Sequence, residues 1–366
     1  MILKAALSFR QTHVVSFSVP GARGLVTLKR APSLLSHDLT DASSAALPAQ
    51  RQMADLTTSG PTSNSRGSNT TESSRVKTVV VTGAAGNLGH KVANHLLTNK
   101  STTRYRLVLM DSAPCPPELY VKNNPNGHDI EYVQCDFSRY DSSWVSKFDS
   151  CDAAMLFAAK NPTPDATSLD AYISMMINAH TLEACAKGRA KRVIFASSNH
   201  VMGAMLHEKG KKIPPDVAPR FGTRYKLKDF VMDSTLYAAA KVAGEVEIQS
   251  MVSSGRLSEA IVLRIGFCQP GHNEKKTLPL TGHPTKTMND ESGKQVTKSM
   301  PNIDEKTADE WWKGMYLKNE DLESLLDRCL DANVPQHTVL YVNGVSRNPE
   351  SRWITDNHIG YSPSSA

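Results

Sequence analysis

Residues 76 to 97, "VKTVVVTGAAGNLGHKVANHLL", constrain the fold more than any other stretch of this 366-residue chain. A continuous β-branched run, a glycine-rich turn and an amphipathic helix follow one another without a linker. Strands that are apolar on successive residues are buried on both faces. The same kind of segment recurs downstream: "YRLVLMDS", "IEYVQCDFS", "DAAMLFAA", "RVIFASS" and "EAIVLRIGF" read as strands. "SLDAYISMMINAHTLEACAKG" and "LYAAAKVAGEVEIQSMVSS" read as helices among them. Apolar strands alternating with helices predict an α/β fold, a doubly wound parallel sheet whose ligands bind at the carboxyl ends of the strands.

The turn Gly83-Ala84-Ala85-Gly86-Asn87-Leu88-Gly89 has glycine at its first, fourth and seventh positions. Glycine lets the backbone turn tightly and approach a pyrophosphate, and the amides that open the next helix stabilise the anion. A glycine pattern alone is weak, but this one follows a strand and opens a helix. Asp111 ends the second strand, 22 residues after Gly89, where a carboxylate accepts hydrogen bonds from ribose hydroxyls and repels a 2′-phosphate. No Arg occurs in the ten residues after it, so NAD is expected rather than NADP. Asp136, after the third strand, is placed by the same topology for the adenine; each Asp could also be a plain turn or cap residue.

The fifth strand, in "RVIFASSNHVMG", ends in four hydrogen-bonding residues, Ser197, Ser198, Asn199 and His200. The topology projects them into the crevice where nicotinamide and substrate would meet. Further on, Tyr237 and Lys241 in "LYAAAK" stand four apart, on one face of a helix. A phenol with an ordinary pKa of about 10 is a poor base at neutral pH unless its anion is stabilised. The Lys241 ammonium and a positive nicotinamide ring would do so, making Tyr237 the proton acceptor and Ser198 the partner of the reacting oxygen.

The formal charge is +6, but the first 74 residues, with seven basic and four acidic side chains, hold half of it. The remaining +3 is a weak case for nucleic-acid binding, and none is expected. Six scattered cysteines without a CxxC pair suit buried thiols in a reducing compartment; no metal site is expected. Residues 1–37 carry Lys4, Arg10, Arg23, Lys29 and Arg30 and no carboxylate, the composition of an organellar transit peptide, here expected to be mitochondrial. A start at Met53 would give a shorter cytoplasmic product. Residues 38–74 are a polar linker too poor in apolar surface to order itself, and the folded domain is expected over 75–366. No run of 18 apolar residues occurs, so no membrane span is expected.

From Arg75 to about Pro363 the chain resembles the extended short-chain dehydrogenases/reductases, the NAD-dependent epimerase/dehydratase group. TGAAGNLG at 82–89, Ser198 and the YxxxK at 237–241 carry the likeness. Within the family it is most similar to the uronate dehydrogenases, through "FASSNHVMG" at 195–203, "RIGFC" at 264–268 and the late "GVSRNPESRWITDNHIGYSP". The resemblance implies a Rossmann-like fold with a small C-terminal substrate-binding portion, and oxidation of a uronic acid at its anomeric carbon with NAD. It implies that Gly83, Gly86, Asn87, Leu88, Gly89, Asp111, Asp136, Phe137, Ala158, Lys241 and Ile265 contact NAD. Ser198, Asn199, His200 and Tyr237 would contact the sugar, with a packed, hydrogen-bonded structural histidine as the other reading of His200, and Asn178 would organise the Tyr and Lys region or be a satisfied core amide. It also implies a homo-oligomer built on a pair of helices.

Three departures bear on the substrate. Asn161, in "FAAKNP", stands where the uronate dehydrogenases carry a serine, and in "HNEKK" Lys276 would have to replace the Arg that grips the uronate carboxylate. Residues 277 to about 310 form a polar insertion, expected to be a solvated loop near the crevice mouth. The chain after it returns to the pattern, with Leu322, Leu325, Leu326 and Leu330 expected to face a core. Two other functions remain open to such a sequence: a sugar epimerase or dehydratase that retains its NAD, and a non-catalytic nucleotide sensor on the same fold.

Overall fold

A computed structural model describes residues 76–98, 103–119, 124, 126–160, 166–282 and 300–366. The expected transit segment, the linker, Met53, Asn161 and the centre of the insertion lie outside the described residues.

The chain runs β1 (Lys77–Thr82), α1 (Asn87–Thr98), β2 (Tyr105–Asp111), β3 (Asp129–Gln134), α2 (Ser142–Val145), β4 (Ala153–Leu156), α3 (Ser168–Lys187) and β5 (Val193–Ser198). It continues β6 (Arg224–Leu227), β7 (Phe230–Asp233), α4 (Thr235–Ser253), β8 (Glu259–Ile265), α5 (Glu305–Gly314), α6 (Asn319–Asp331) and β9 (Thr338–Gly344). Seven strands form one sheet in the order β3-β2-β1-β4-β5-β8-β9, every neighbouring pair parallel. The order reverses direction between β1 and β4, which opens a crevice at their carboxyl ends.

The valines of β1 explain the layering. Val79 and Val81 join one apolar cluster with Val92, Leu96, Leu322, Leu325 and Leu326, so α1 and α6 cover that face of the sheet. Val80 joins another with Leu182, Cys185, Ile248 and Met251, so α3 and α4 cover the other. A strand loaded on both faces has no solvent side, and each such valine contributes about 1.5–3 kcal/mol of burial. Leu330 packs on the edge of the first cluster, completing the stripe expected on α6. Helix α3 starts where Thr167 and Asp170 exchange side-chain and backbone bonds, a capping box that satisfies two otherwise unpartnered amides. No helix among the described residues is long and apolar enough to cross a membrane.

A third cluster gathers Val201, Met202, Tyr225, Met232, Trp311, Trp312 and Trp353. This smaller portion draws on the C-terminal part of the chain and also on the β6–β7 hairpin, which lies between β5 and α4. Leu280 and Ile303, at the two described ends of the insertion, pack against it. The Leu280 carbonyl accepts from Tyr225 Oη at 2.6 Å and from Trp312 Nε1 at 3.2 Å. At the other end, Lys226 N donates to Pro301 O at 2.9 Å and Ile303 N to Lys226 O at 3.0 Å. Gly282, with φ +63°, could not be another residue, because a Cβ there would lie 2.1 Å from the Trp312 ring.

Candidate active site

One cavity of about 550 Å³ follows the crevice from the glycine turn to the end of β5. Gly83, Gly86, Asn87, Leu88 and Gly89 line it, with Asp111, Asp136, Phe137, Ala158, Ser198, Asn199, His200, Tyr237, Lys241 and Ile265. The structure thus brings together the residues singled out in the sequence, apart from Lys276 and the undescribed Asn161.

The glycine turn is shaped by steric necessity. Gly83 adopts φ +72°, and a Cβ on Gly89 would sit 1.9 Å from the Gly83 carbonyl oxygen, so only glycine lets α1 start against the end of β1. Thr82 Oγ1 accepts from the amides of Phe157 and Ala158, both at 3.2 Å, and ties β1 to the chain leaving β4 at the switch point. Asn87 Nδ2 donates to Cys268 O at 2.9 Å, linking the turn to the segment after β8. The amides opening α1 have no intrahelical acceptor and lie at this cavity wall.

The Asp111 carboxylate accepts from Ala85 N through Oδ2 and from Ala113 N through Oδ1, both at 2.9 Å. Each oxygen keeps acceptor capacity for a ribose hydroxyl. Asp136 Oδ1 accepts from Ser138 N at 2.9 Å, and the Ser138 hydrogen bonds hold its carboxyl below the usual range. Two carboxylates at this end disfavour a further phosphate. Phe137 lies edge-on to Trp144 at 5.2 Å and offers an apolar surface beside them. An open glycine turn, a cradle of helix-opening amides and these carboxylates fit NAD.

At the far end, α4 lies along β5. The phenol of Tyr237 faces Ser198 at this end of the cavity, and Ser198 Oγ lies 3.2 Å from Asn199 Oδ1. Lys241 Nζ donates to Ala196 O at 2.6 Å and lies 6.0 Å from the centre of the Tyr237 ring. Burial lowers the Lys241 ammonium to about 8, opposed by the charge of Glu245. Burial raises the Tyr237 phenol, and the Ser198 hydroxyl beside it draws it back. Asn178 Nδ2 donates to Ala240 O at 3.1 Å, bracing α4 between Tyr237 and Lys241, so the Asn both organises this region and is satisfied in the core.

The walls beyond Tyr237 come from the smaller portion. Ser198 caps the helical turns Asn199–His207 by accepting from His200 N at 3.2 Å. His200 Nδ1 meets Thr223 Oγ1 at 2.9 Å, and its ring stands edge-on to both Tyr237 and Trp312, each at 5.7 Å. Burial pushes this imidazole down to about 4, so it is neutral at pH 7. Lys276 is not at this wall: its side chain is exposed and pairs with Glu274 Oε2 at 2.7 Å. The short turn Lys275–Thr277 leaves its ammonium in water, where a neighbouring carboxylate is its partner.

Several participants carried no clear signal in the sequence. Phe267 lines the cavity 5.4 Å from Trp312, and Thr223 reaches His200 from 23 residues away. Beneath the site, Glu245 and Arg264 form a buried pair at 2.9 Å; the four-residue step from Lys241 to Glu245 was its one visible trace.

No curated protein sequence matches the chain. Among solved structures, one described as a mutated uronate dehydrogenase is 23% identical with a TM-score of 0.53, covering 79% of this chain and 82% of that one. An NAD-complexed mutant of uronate dehydrogenase from Agrobacterium tumefaciens is also 23% identical, with a TM-score of 0.50 over 79% and 85% of the two chains. A UDP-galactose 4-epimerase is 17% identical with a TM-score of 0.47, over 79% and 88%. The two uronate dehydrogenase likenesses support the Rossmann-like fold. The NAD dependent epimerase/dehydratase family model matches residues 79–268, a span that runs from the first strand through the glycine turn and the Tyr-Lys helix to Cys268. With that match over more than half of its length, the chain belongs to the NAD-dependent epimerase/dehydratase family, and NAD is its cofactor.

Proposed function

We propose that the protein oxidises a uronic acid or a related sugar at a hydroxyl carbon, with NAD as the electron acceptor. The convergence of Ser198, Tyr237 and Lys241 at one end of the cavity, opposite the glycine turn, carries this reading. Gly86, Asn87 and Leu88 would hold the pyrophosphate, Asp111 the adenosine ribose, Asp136 and Phe137 the adenine, and Ala158, Lys241 and Ile265 the nicotinamide half. NAD would supply the hydride acceptor and a positive charge.

Tyr237, as phenolate, takes the proton of the sugar hydroxyl while the carbon gives up its hydride and becomes a carbonyl. Burial alone opposes the phenolate. Lys241 offsets that cost with its ammonium. Ser198 hydrogen-bonds the reacting oxygen and fixes which hydroxyl faces Tyr237. Asn199 and the neutral His200 offer hydrogen bonds to the remaining hydroxyls. The uronate dehydrogenase neighbours support the choice of sugar acid, oxidised at the anomeric carbon to a lactone.

Absorbance at the NADH wavelength tests the reading, with galacturonate or glucuronate in turn beside a Tyr237→Phe control. Steady NADH formation that the control loses by about 10²–10⁴-fold is expected. Binding of NAD without turnover of either acid would sink the uronate assignment. The family description favours one other reading, an epimerase or dehydratase that keeps its NAD and returns the hydride. That protein would retain cofactor through purification and form no net NADH.

A further inference from the structure

Three side chains spaced four apart on α4 meet three consecutive residues of β5. Tyr237 stands beside Ser198 at the cavity, Lys241 bonds the Ala196 carbonyl, and Glu245 Oε1 accepts from Ser197 Oγ at 2.5 Å. The third contact takes no part in the chemistry above. Glu245 also accepts from Arg264 Nη2 at 2.9 Å and from Arg264 Nε at 3.2 Å. Arg264 donates in turn from Nη1 to Val217 O at 3.0 Å and lies 5.2 Å from the Tyr341 ring. The carboxylate is therefore held by two strands, with 2% of Glu245 and 1% of Arg264 exposed. Buried ion pairs of this kind add little to stability over apolar residues of the same volume, because desolvation offsets the attraction. Their charges serve better where another buried charge needs them.

Lys241 is such a charge. It is buried one helical turn before Glu245, and its hydrogen-bond acceptor, the Ala196 carbonyl, is neutral. We propose that Glu245 is a positioning residue that keeps Lys241 charged under the cofactor, with Ser197 and Arg264 fixing the carboxylate in register. This rests on the proposed function only for the role given to Lys241. The titratable and charged groups shown about this turn of α4 are Tyr237 and Glu245 beside the ammonium, with Arg264 on β8 and Tyr341 on β9 beside the carboxylate. From α3 comes the neutral Asn178. Glu245 is the anion among them, and its field opposes the loss of the Lys241 proton.

The test is NAD binding to the full chain, followed by calorimetry from pH 6 to 10, for wild type, Glu245→Gln and the double variant Glu245→Gln/Arg264→Gln. Wild-type affinity is expected to fall as pH rises through about 8, where Lys241 loses its proton. Removing the carboxylate should move that fall down by roughly one pH unit or more. The double variant leaves no unpaired buried guanidinium, so it decides the matter where the single variant does not fold. A folded variant that titrates at the wild-type midpoint overturns the proposal. Because binding is read rather than turnover, the two readings fail separately. A moved midpoint without sugar oxidation would sink the function and leave Glu245 standing, and oxidation with an unmoved midpoint would do the reverse.

Discussion

Lys241 Nζ lies 2.6 Å from the carbonyl oxygen of Ala196, so the ammonium is tied to the strand that ends in Ser198. With the Glu245–Ser197 bond, it ties the helix carrying Tyr237 to the strand that ends in Ser198. Replacing Lys241 with Met removes both the tether and the charge. We expect NAD affinity at pH 7 to fall about 10- to 100-fold, the worth of a hydrogen bond from a charged group. The pH dependence near 8 should vanish with it, which binding titrations at pH 6, 7 and 9 would check.

His200 predicts a response to acid. The unfolded chain takes up this proton at the ordinary pKa of 6.5, and the native protein holds it off until about 4. Native stability therefore falls as pH drops through that window, by about 3 kcal/mol from this group alone. Urea unfolding of wild type and His200→Asn at pH 7, 5.5 and 4 should show the steeper decline in wild type. Parallel declines would mean that His200 does not carry the effect.

Asp111 predicts cofactor choice. Asparagine at this position keeps an acceptor for Ala85 N and removes the charge that repels a 2′-phosphate. The ratio of NAD to NADP affinity in Asp111→Asn should narrow by at least about tenfold, the effect of about 1.4 kcal/mol. Titration with both cofactors reads the ratio directly.

Arg192 predicts stability without function. Its guanidinium pairs with Glu259 at 2.6 Å and donates to the carbonyls of Cys329, Leu330 and Ala332, closing the end of α6 onto the sheet. Arg192→Met leaves Glu259 and those carbonyls without this partner, far from the cavity. Unfolding free energy should drop by about 2–3 kcal/mol, with NAD affinity unchanged.

The nucleotide half of this protein was legible in the sequence because its determinants are local. Gly83 and Gly89 are required by contacts within one turn, and the valines of β1 announce a strand buried on both sides. Tyr237 and Lys241 were legible for the same reason, since a spacing of four fixes a shared helix face. The substrate side was not, because its contacts join distant segments. Thr223 reaches His200 from a hairpin, Arg264 reaches Glu245 from the next strand, and Phe267 meets a tryptophan 45 positions on. Lys276 misled for a related reason: closeness in sequence to the end of β8 says nothing about which way an exposed turn points its ammonium. Strand β9 escaped notice because its first four residues are only half-buried and make no long apolar run.

The two ends of the polar insertion are anchored independently, Leu280 to Tyr225 and Trp312, Ile303 to Lys226. Each anchor is a bond made by a described residue, one where the chain leaves the frame and one where it returns. Tolerance of a backbone change follows from the burial and bonding of the points where the chain leaves and returns. A label or tag is therefore best kept clear of Leu280 and Ile303, because the frame that presents Gly282 to the cavity is bonded at those two points.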